Sequence, residues 1–177
     1  MEPLSGAPEI FRELVEADLR RGARLIIKVQ DEIDPQWRIA TPTGDWWIAT
    51  TLPNNDDHGR KVILRALRTF MVWKQALAFT LTTELHEPDG IFCAGVSKTE
   101  RLACVARVRR IPRPWTAASF GAVEWLPASY IDPAISSLLP DGPEPLTPKA
   151  VAAMTKWFGA QGKFPAVHLP TGEVRGA

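Results

Sequence analysis

Two groups of residues in this chain have types and spacing that could do chemistry. The first is basic and aromatic. Arg38 and Trp47 fall in one predicted hairpin, and Arg107, Arg109, Arg110 and Arg113 lie in and just after a later predicted strand. Arginines neutralise phosphates and flat rings stack bases at about 1 to 3 kcal/mol each, so this set suits single-stranded nucleic acid, for which a sheet surface is a workable platform. The second group is Glu84, His86, Glu87 and Asp89, which could supply an acid–base pair or hard-metal ligands. Polar residues in such a position ordinarily cap and solvate a helix end, so the enzyme reading is kept as an alternative to binding.

The remaining chemical candidates read as structural. Cys93 and Cys104 lie among apolar neighbours, form no Cys-x-x-Cys, and have none of His58, His86 or His168 at ligand spacing, so they are expected as inert core thiols. Ser97 sits in Gly95-Val96-Ser97-Lys98-Thr99, which lacks the second glycine of a nucleophile elbow and is placed at a hairpin tip. Neither a Walker-type loop nor a Gly-x-Gly-x-x-Gly is present. Gly159-Ala160-Gln161-Gly162 resembles the clamp of KH domains, but Phe164-Pro165 forbids the helix that must follow such a clamp. No catalytic residue, metal site or cofactor is therefore assigned.

Charge supports the first group. The chain of 177 residues carries a formal net charge of +1, yet residues 56 to 115 hold 11 bases against 6 acids, a local net of +5. Composition is that of a globular chain, 45% hydrophobic and 23% charged, long enough to bury a core without disulfide or metal staples. No run of about 18 apolar residues occurs, and the start, Met1-Glu2-Pro3-Leu4-Ser5-Gly6, has no signal-peptide pattern. The expectation is a cytoplasmic protein without a membrane partner.

Several elements must position these residues. Pro8 and Glu9 open a helix whose apolar positions Phe11, Leu14, Val15 and Leu19 recur at helical spacing, with Gly22 as its stop. Alternation predicts strands over Arg24–Gln30, Trp37–Thr41 and Trp46–Leu52. Asp56-Asp57 then caps a long helix running to about Glu84, its second half apolar nearly all round and central to the core. Strands follow at Ile91–Val96, Leu102–Arg110 and Phe120–Leu126, and Asp132-Pro133 and Thr147-Pro148 open two short helices. The fold expected is a single α+β domain over residues 1–177, an antiparallel sheet of about six strands packed on a long central helix, in the order α-βββ-α-βββ-αα. The layout of residues 8–84 is similar to double-stranded-RNA-binding domains, but the small-residue and lysine run that opens their second helix is not reproduced, so no family is assigned.

Register then predicts faces. A turn centred between Lys98 and Thr99 sets Cys93 opposite Cys104 and places Ile91, Cys93, Gly95, Leu102, Cys104, Ala106 and Val108 against the long helix. Phe92, Val96, Arg101, Val105, Arg107 and Arg109 take the other face. In the first hairpin, Arg38, Ala40, Trp47 and Ala49 lie opposite in facing to Trp37, Ile39, Trp46 and Ile48. Joined in one sheet, the outer surface would gather Lys28, Arg38, Trp47, Phe92, Arg101, Arg107 and Arg109, continued by Arg110 and Arg113, with Trp47 the one tryptophan of seven lacking a core role. The expectation is a binding or regulatory protein without a catalytic site that takes nucleic acid on this face. A protein-interaction module, meeting a partner or a second copy through a sheet edge or the Trp47 surface, and an enzyme using Glu84 to Asp89 are the alternatives.

Overall fold

The computed structural model describes residues 8–29, 33–50, 57–109 and 119–159. The first helix, α1 (Pro8–Val29), does not stop at Gly22. Phe11, Val15, Leu19, Ala23 and Ile26 are all buried, and their spacing continues one apolar stripe through the segment that alternation assigned to a strand. Leu25-Ile26-Ile27 is apolar enough to read either way; the stripe decides. Gly22 serves a different purpose, because a Cβ there would run into Thr82 Cγ2 on the sheet beneath. Gly95 does the same from the sheet side, where a Cβ would strike Val15 Cγ2. The two glycines let α1 sit close on the strands.

A hairpin of β1 (Gln36–Thr41) and β2 (Gly44–Ala49) follows, with Trp37 opposite Ile48 and Ile39 opposite Trp46. Thr41 faces Gly44 across the two-residue turn Pro42-Thr43, and every side chain of the hairpin lies on its expected face. Gly44 takes a φ of 134°, open to glycine alone, where the two-residue turn closes.

The second helix, α2 (Asp57–Trp73), is shorter than predicted. It ends in a Schellman arrangement: the Ala76 N–H donates to Met71 O at 2.8 Å, the Gln75 N–H to Val72 O at 3.2 Å, and Gln75 adopts a φ of 54°. A glutamine stands where glycine usually announces this stop. The residues beyond it form β3 (Ala78–His86), in which β-branched Thr80, Thr82 and Thr83 suit a strand better than a helix.

β4 (Asp89–Ser97) and β5 (Arg101–Arg109) complete a meander, and Cys93 does face Cys104. The last predicted strand is two short ones, β6 (Ser119–Phe120) and β7 (Glu124–Leu126), both paired with β5. The result is an α+β fold with an antiparallel sheet in the order β2-β1-β3-β4-β5-β6. A 3-10 turn at Ala128–Tyr130 leads to α3 (Pro133–Ser136) and α4 (Pro148–Gly159). Their starts are as predicted, with the Asp132 carboxylate accepting from the Ala134 N–H at 2.8 Å and Thr147 Oγ1 from the Ala150 N–H at 3.2 Å. The element order thus departs from α-βββ-α-βββ-αα at three places, the missing strand inside α1, the extra strand taken from the end of α2 and the last strand divided into β6 and β7. With the strand after α1 gone, the double-stranded-RNA-binding layout is not reproduced.

Helices cover both faces of the sheet. α1 packs on the face made by Ala40, Ala78, Ile91, Cys93, Cys104, Ala106 and Val108. α2 packs on the other, against Trp37, Ile39, Ile48, Phe79, Leu81, Ala94, Val96 and Ala103. The cysteine face therefore meets α1 and not the long helix. Outside α2, the segment from residue 131 to 144 inserts Ile131, Ile135, Leu138 and Leu139 into the same core. Two arginines of α2 hold it there: Arg60 pairs with Asp132, and Arg68 pairs with Glu144 while donating to the Ser137 carbonyl at 2.6 Å. Among the described residues, no helix is long and apolar enough to cross a membrane.

Candidate functional site

The expected basic surface divides between the two sides of the sheet. Arg38 and Trp47 point to the α1 side. Arg107 and Arg109 point to the α2 side, because paired residues share a face and successive ones along a strand do not. Lys28 belongs to α1 and to no strand. Arg110 and Arg113 lie outside the described residues, as do Trp115 and His168.

Arg38 is committed to internal contacts. Its Nε donates to Asp45 Oδ2 at 2.7 Å across the hairpin, and its Nη1 reaches Asp18 Oδ1 of α1 at 3.3 Å. Asp18 is 4% exposed and also accepts from Thr80 Oγ1 at 2.7 Å. Burial pushes the Asp18 carboxyl above the usual carboxylate range, opposed by the charge of Arg38 and the hydrogen bond from Thr80. Arg21 lies beside it with its guanidinium carbon 3.7 Å above the Trp47 ring, and Arg38 approaches the same ring at 5.1 Å. Burial lowers the pKa of Arg21, with Asp18 acting against that shift. Trp47, expected as an exposed anchor, is 8% exposed beneath these arginines. The set fixes α1 on the β1–β2 hairpin. One signal in the sequence points to it: Asp18 falls three residues after Val15 and one before Leu19, an acid on the buried stripe of a helix.

Arg107 and Arg109 have a different setting. Both are exposed on β5, and among the described residues neither forms an ion pair. Around them on the same face are half-buried Phe92 and Val105, with half-buried Thr83 and Leu85 farther along on β3. Glu124 of β7, opposite Val105, is the acidic neighbour on this face. Arg101, expected with this group, instead ties down the hairpin turn by donating to the Ser97 carbonyl at 2.6 Å. The exposed basic pair is therefore Arg107 and Arg109 at the β3–β5 end of the α2 face, beside half-buried Val105 and a Phe92 that also packs against the core.

The other candidates take structural positions. Ser97 Oγ accepts from the Glu100 N–H at 3.0 Å within its turn. Glu84 Oε2 accepts the Ile33 N–H at 3.1 Å, and His86 pairs with Asp89 in the ladder closing the β3–β4 hairpin, so these residues sit at a hairpin turn and not at a helix end. Cys93 and Cys104 are free, buried thiols. Burial raises Cys93 well above the ordinary thiol range and pushes Cys104 up to about 12. Among the described residues no group of three or more His, Cys, Asp and Glu side chains could hold a metal. Comparison with protein-family models, curated proteins and solved structures finds no match.

Proposed function

We propose that this is a non-catalytic binding protein that engages single-stranded nucleic acid at the β4–β5 end of its sheet. The observation that carries the reading is the pair Arg107 and Arg109, exposed at alternate positions of β5 on the face that also presents Phe92. Alternate positions of a strand lie about 7 Å apart and point the same way, so both guanidiniums can neutralise one backbone while a base stacks on the neighbouring ring. Arg110 and Arg113 continue this basic run along the chain. Arg38 and Trp47 support the site only indirectly, by fixing the far side of the sheet.

Fluorescence anisotropy with labelled single-stranded RNA, single-stranded DNA and duplex tests the reading. Wild type is expected to bind the single strands in preference to duplex. Arg107→Ala/Arg109→Ala loses that binding, and Phe92→Ala weakens it by the 1 to 3 kcal/mol typical of a stacked base. Equal binding by wild type and the double variant overturns the proposal.

A further inference from the structure

We infer that Glu124 makes the β4–β5 face selective for guanine, an inference that rests on the nucleic-acid reading above and names the base this face takes. Val105 pairs with Phe92 of β4 on one side and with Glu124 of β7 on the other, so the three side chains form one row across the α2 face. Two strand spacings, about 10 Å, separate the ends of the row. Phe92 and Val105 are half-buried, and Glu124 is exposed. Arg107 stands in the next row and Arg109 in the one beyond, both exposed. Among the described residues none of Glu124, Arg107 and Arg109 forms an ion pair, so an acid and two cations share this face without neutralising one another.

The floor beside Arg107 is bare main chain. Gly90 is its partner on β4, and on the other side the Gly121 N–H donates to the Arg107 carbonyl at 2.8 Å. A Cβ at Gly90 would press on the Ala106 carbonyl at 3.0 Å, whereas one at Gly121 would meet only the Arg107 carbonyl, at 3.9 Å. With no side chain on either flank, a planar group can lie low beside the arginine. An acid on a phosphate-binding surface weakens binding unless a base donates to it. Guanine alone of the common bases offers two adjacent donors, N1–H and N2–H, on its Watson–Crick edge, and a carboxylate accepts both with its two oxygens. Cytosine and adenine set a single amino donor beside a ring nitrogen that repels the carboxylate, and uracil flanks its N3–H with carbonyls. A guanine lying over Phe92 and Val105 turns its donor edge to Glu124 while the adjoining phosphates meet Arg107 and Arg109.

The test is fluorescence anisotropy of the full-length protein with short labelled oligouridine strands that carry one central guanosine, inosine, adenosine or cytidine, beside the all-uridine strand. The guanosine strand is expected to bind about tenfold more tightly than the others, and the inosine strand, which lacks the N2 amino group, to lose most of that gain. Glu124→Gln is expected to abolish the preference and to bind the all-uridine strand at least as tightly as wild type, because it removes a negative charge from the surface. A variant that merely unfolds loses both. Binding by wild type without base preference, or with preference for another base, overturns the guanine inference and leaves the nucleic-acid reading in place. So does a guanosine preference that survives Glu124→Gln. Failure of every strand to bind wild type overturns both.

Discussion

Asp18 and Arg38, twenty residues apart in the chain, meet at 3.3 Å where α1 crosses the first hairpin. The contact carries a large share of the architecture, since Asp18 is buried and Arg38 also holds Asp45 on the neighbouring strand. Removing one member of such a set leaves a charge without its partner in a poorly solvated place, which typically costs about 3 kcal/mol. It also places Arg38 and Trp47 in the frame of the protein, so the ligand-facing role falls to Arg107 and Arg109.

The pH dependence of stability follows from the direction of the Asp18 shift. Its folded-state pKa lies above the ordinary value of 3.8, so the stability tied to its protonated form is fully present below that value and is lost as pH rises through the folded pKa. Chemical denaturation of wild type and Asp18→Asn, from pH 3.5 to 7, isolates this group by difference. Wild-type stability relative to the variant is expected to fall as pH rises. A relative stability that climbs over the same range contradicts the assignment.

Gly22 gives a test of sign. An interior helical Gly→Ala change ordinarily stabilises by about 1 kcal/mol. Here the added methyl would meet Thr82 Cγ2, the stiff branch of a buried side chain, and would also press on Ile91. Gly22→Ala is therefore expected to destabilise by about 1 to 3 kcal/mol, and Thr82→Ser, which deletes that methyl and keeps the hydroxyl bonded to Cys93 Sγ, to restore part of the loss. Urea denaturation of the two single variants and the double variant reads the coupling. A stabilising Gly22→Ala would show that α1 does not approach the sheet so closely.

The cysteines should be silent in the native state. Both are buried, and burial pushes Cys104 up to about 12 and Cys93 well above the usual thiol range. Little thiolate exists at pH 8, and a reagent has no access to it. Neither thiol is expected to react with an aromatic disulfide reagent until denaturant is added, when two equivalents react. Rapid native-state modification of either one contradicts the packing of α1 over β4 and β5.

Local rules in the sequence anticipated the register of Cys93 and Cys104, the facing within the first hairpin and the caps at Asp132 and Thr147, because each depends on a turn or a few adjacent residues. Two elements were illegible for a shared reason. Gly22 looks like a helix stop, and its purpose shows only against Thr82, sixty residues away. The true stop of α2 is at Gln75, where no glycine marks it. Once α1 is extended and β3 is released from α2, the sheet acquires helices on both faces, and the proposed outer surface divides. That division separates Arg38 and Trp47 from Arg107 and Arg109, and no pattern within either hairpin contains it.

The salt dependence of binding tests the central claim most directly. A phosphate-contacting pair on β5 predicts that the affinity for single-stranded RNA falls linearly on a log–log plot against salt, and that Arg107→Ala/Arg109→Ala reduces the slope by about 1 to 2. Arg65→Ala, which removes an exposed charge from α2, should leave the slope unchanged. A slope that is the same in wild type and the β5 variant, or no binding at low salt, would contradict the account and leave Arg107 and Arg109 as a solvated strand face.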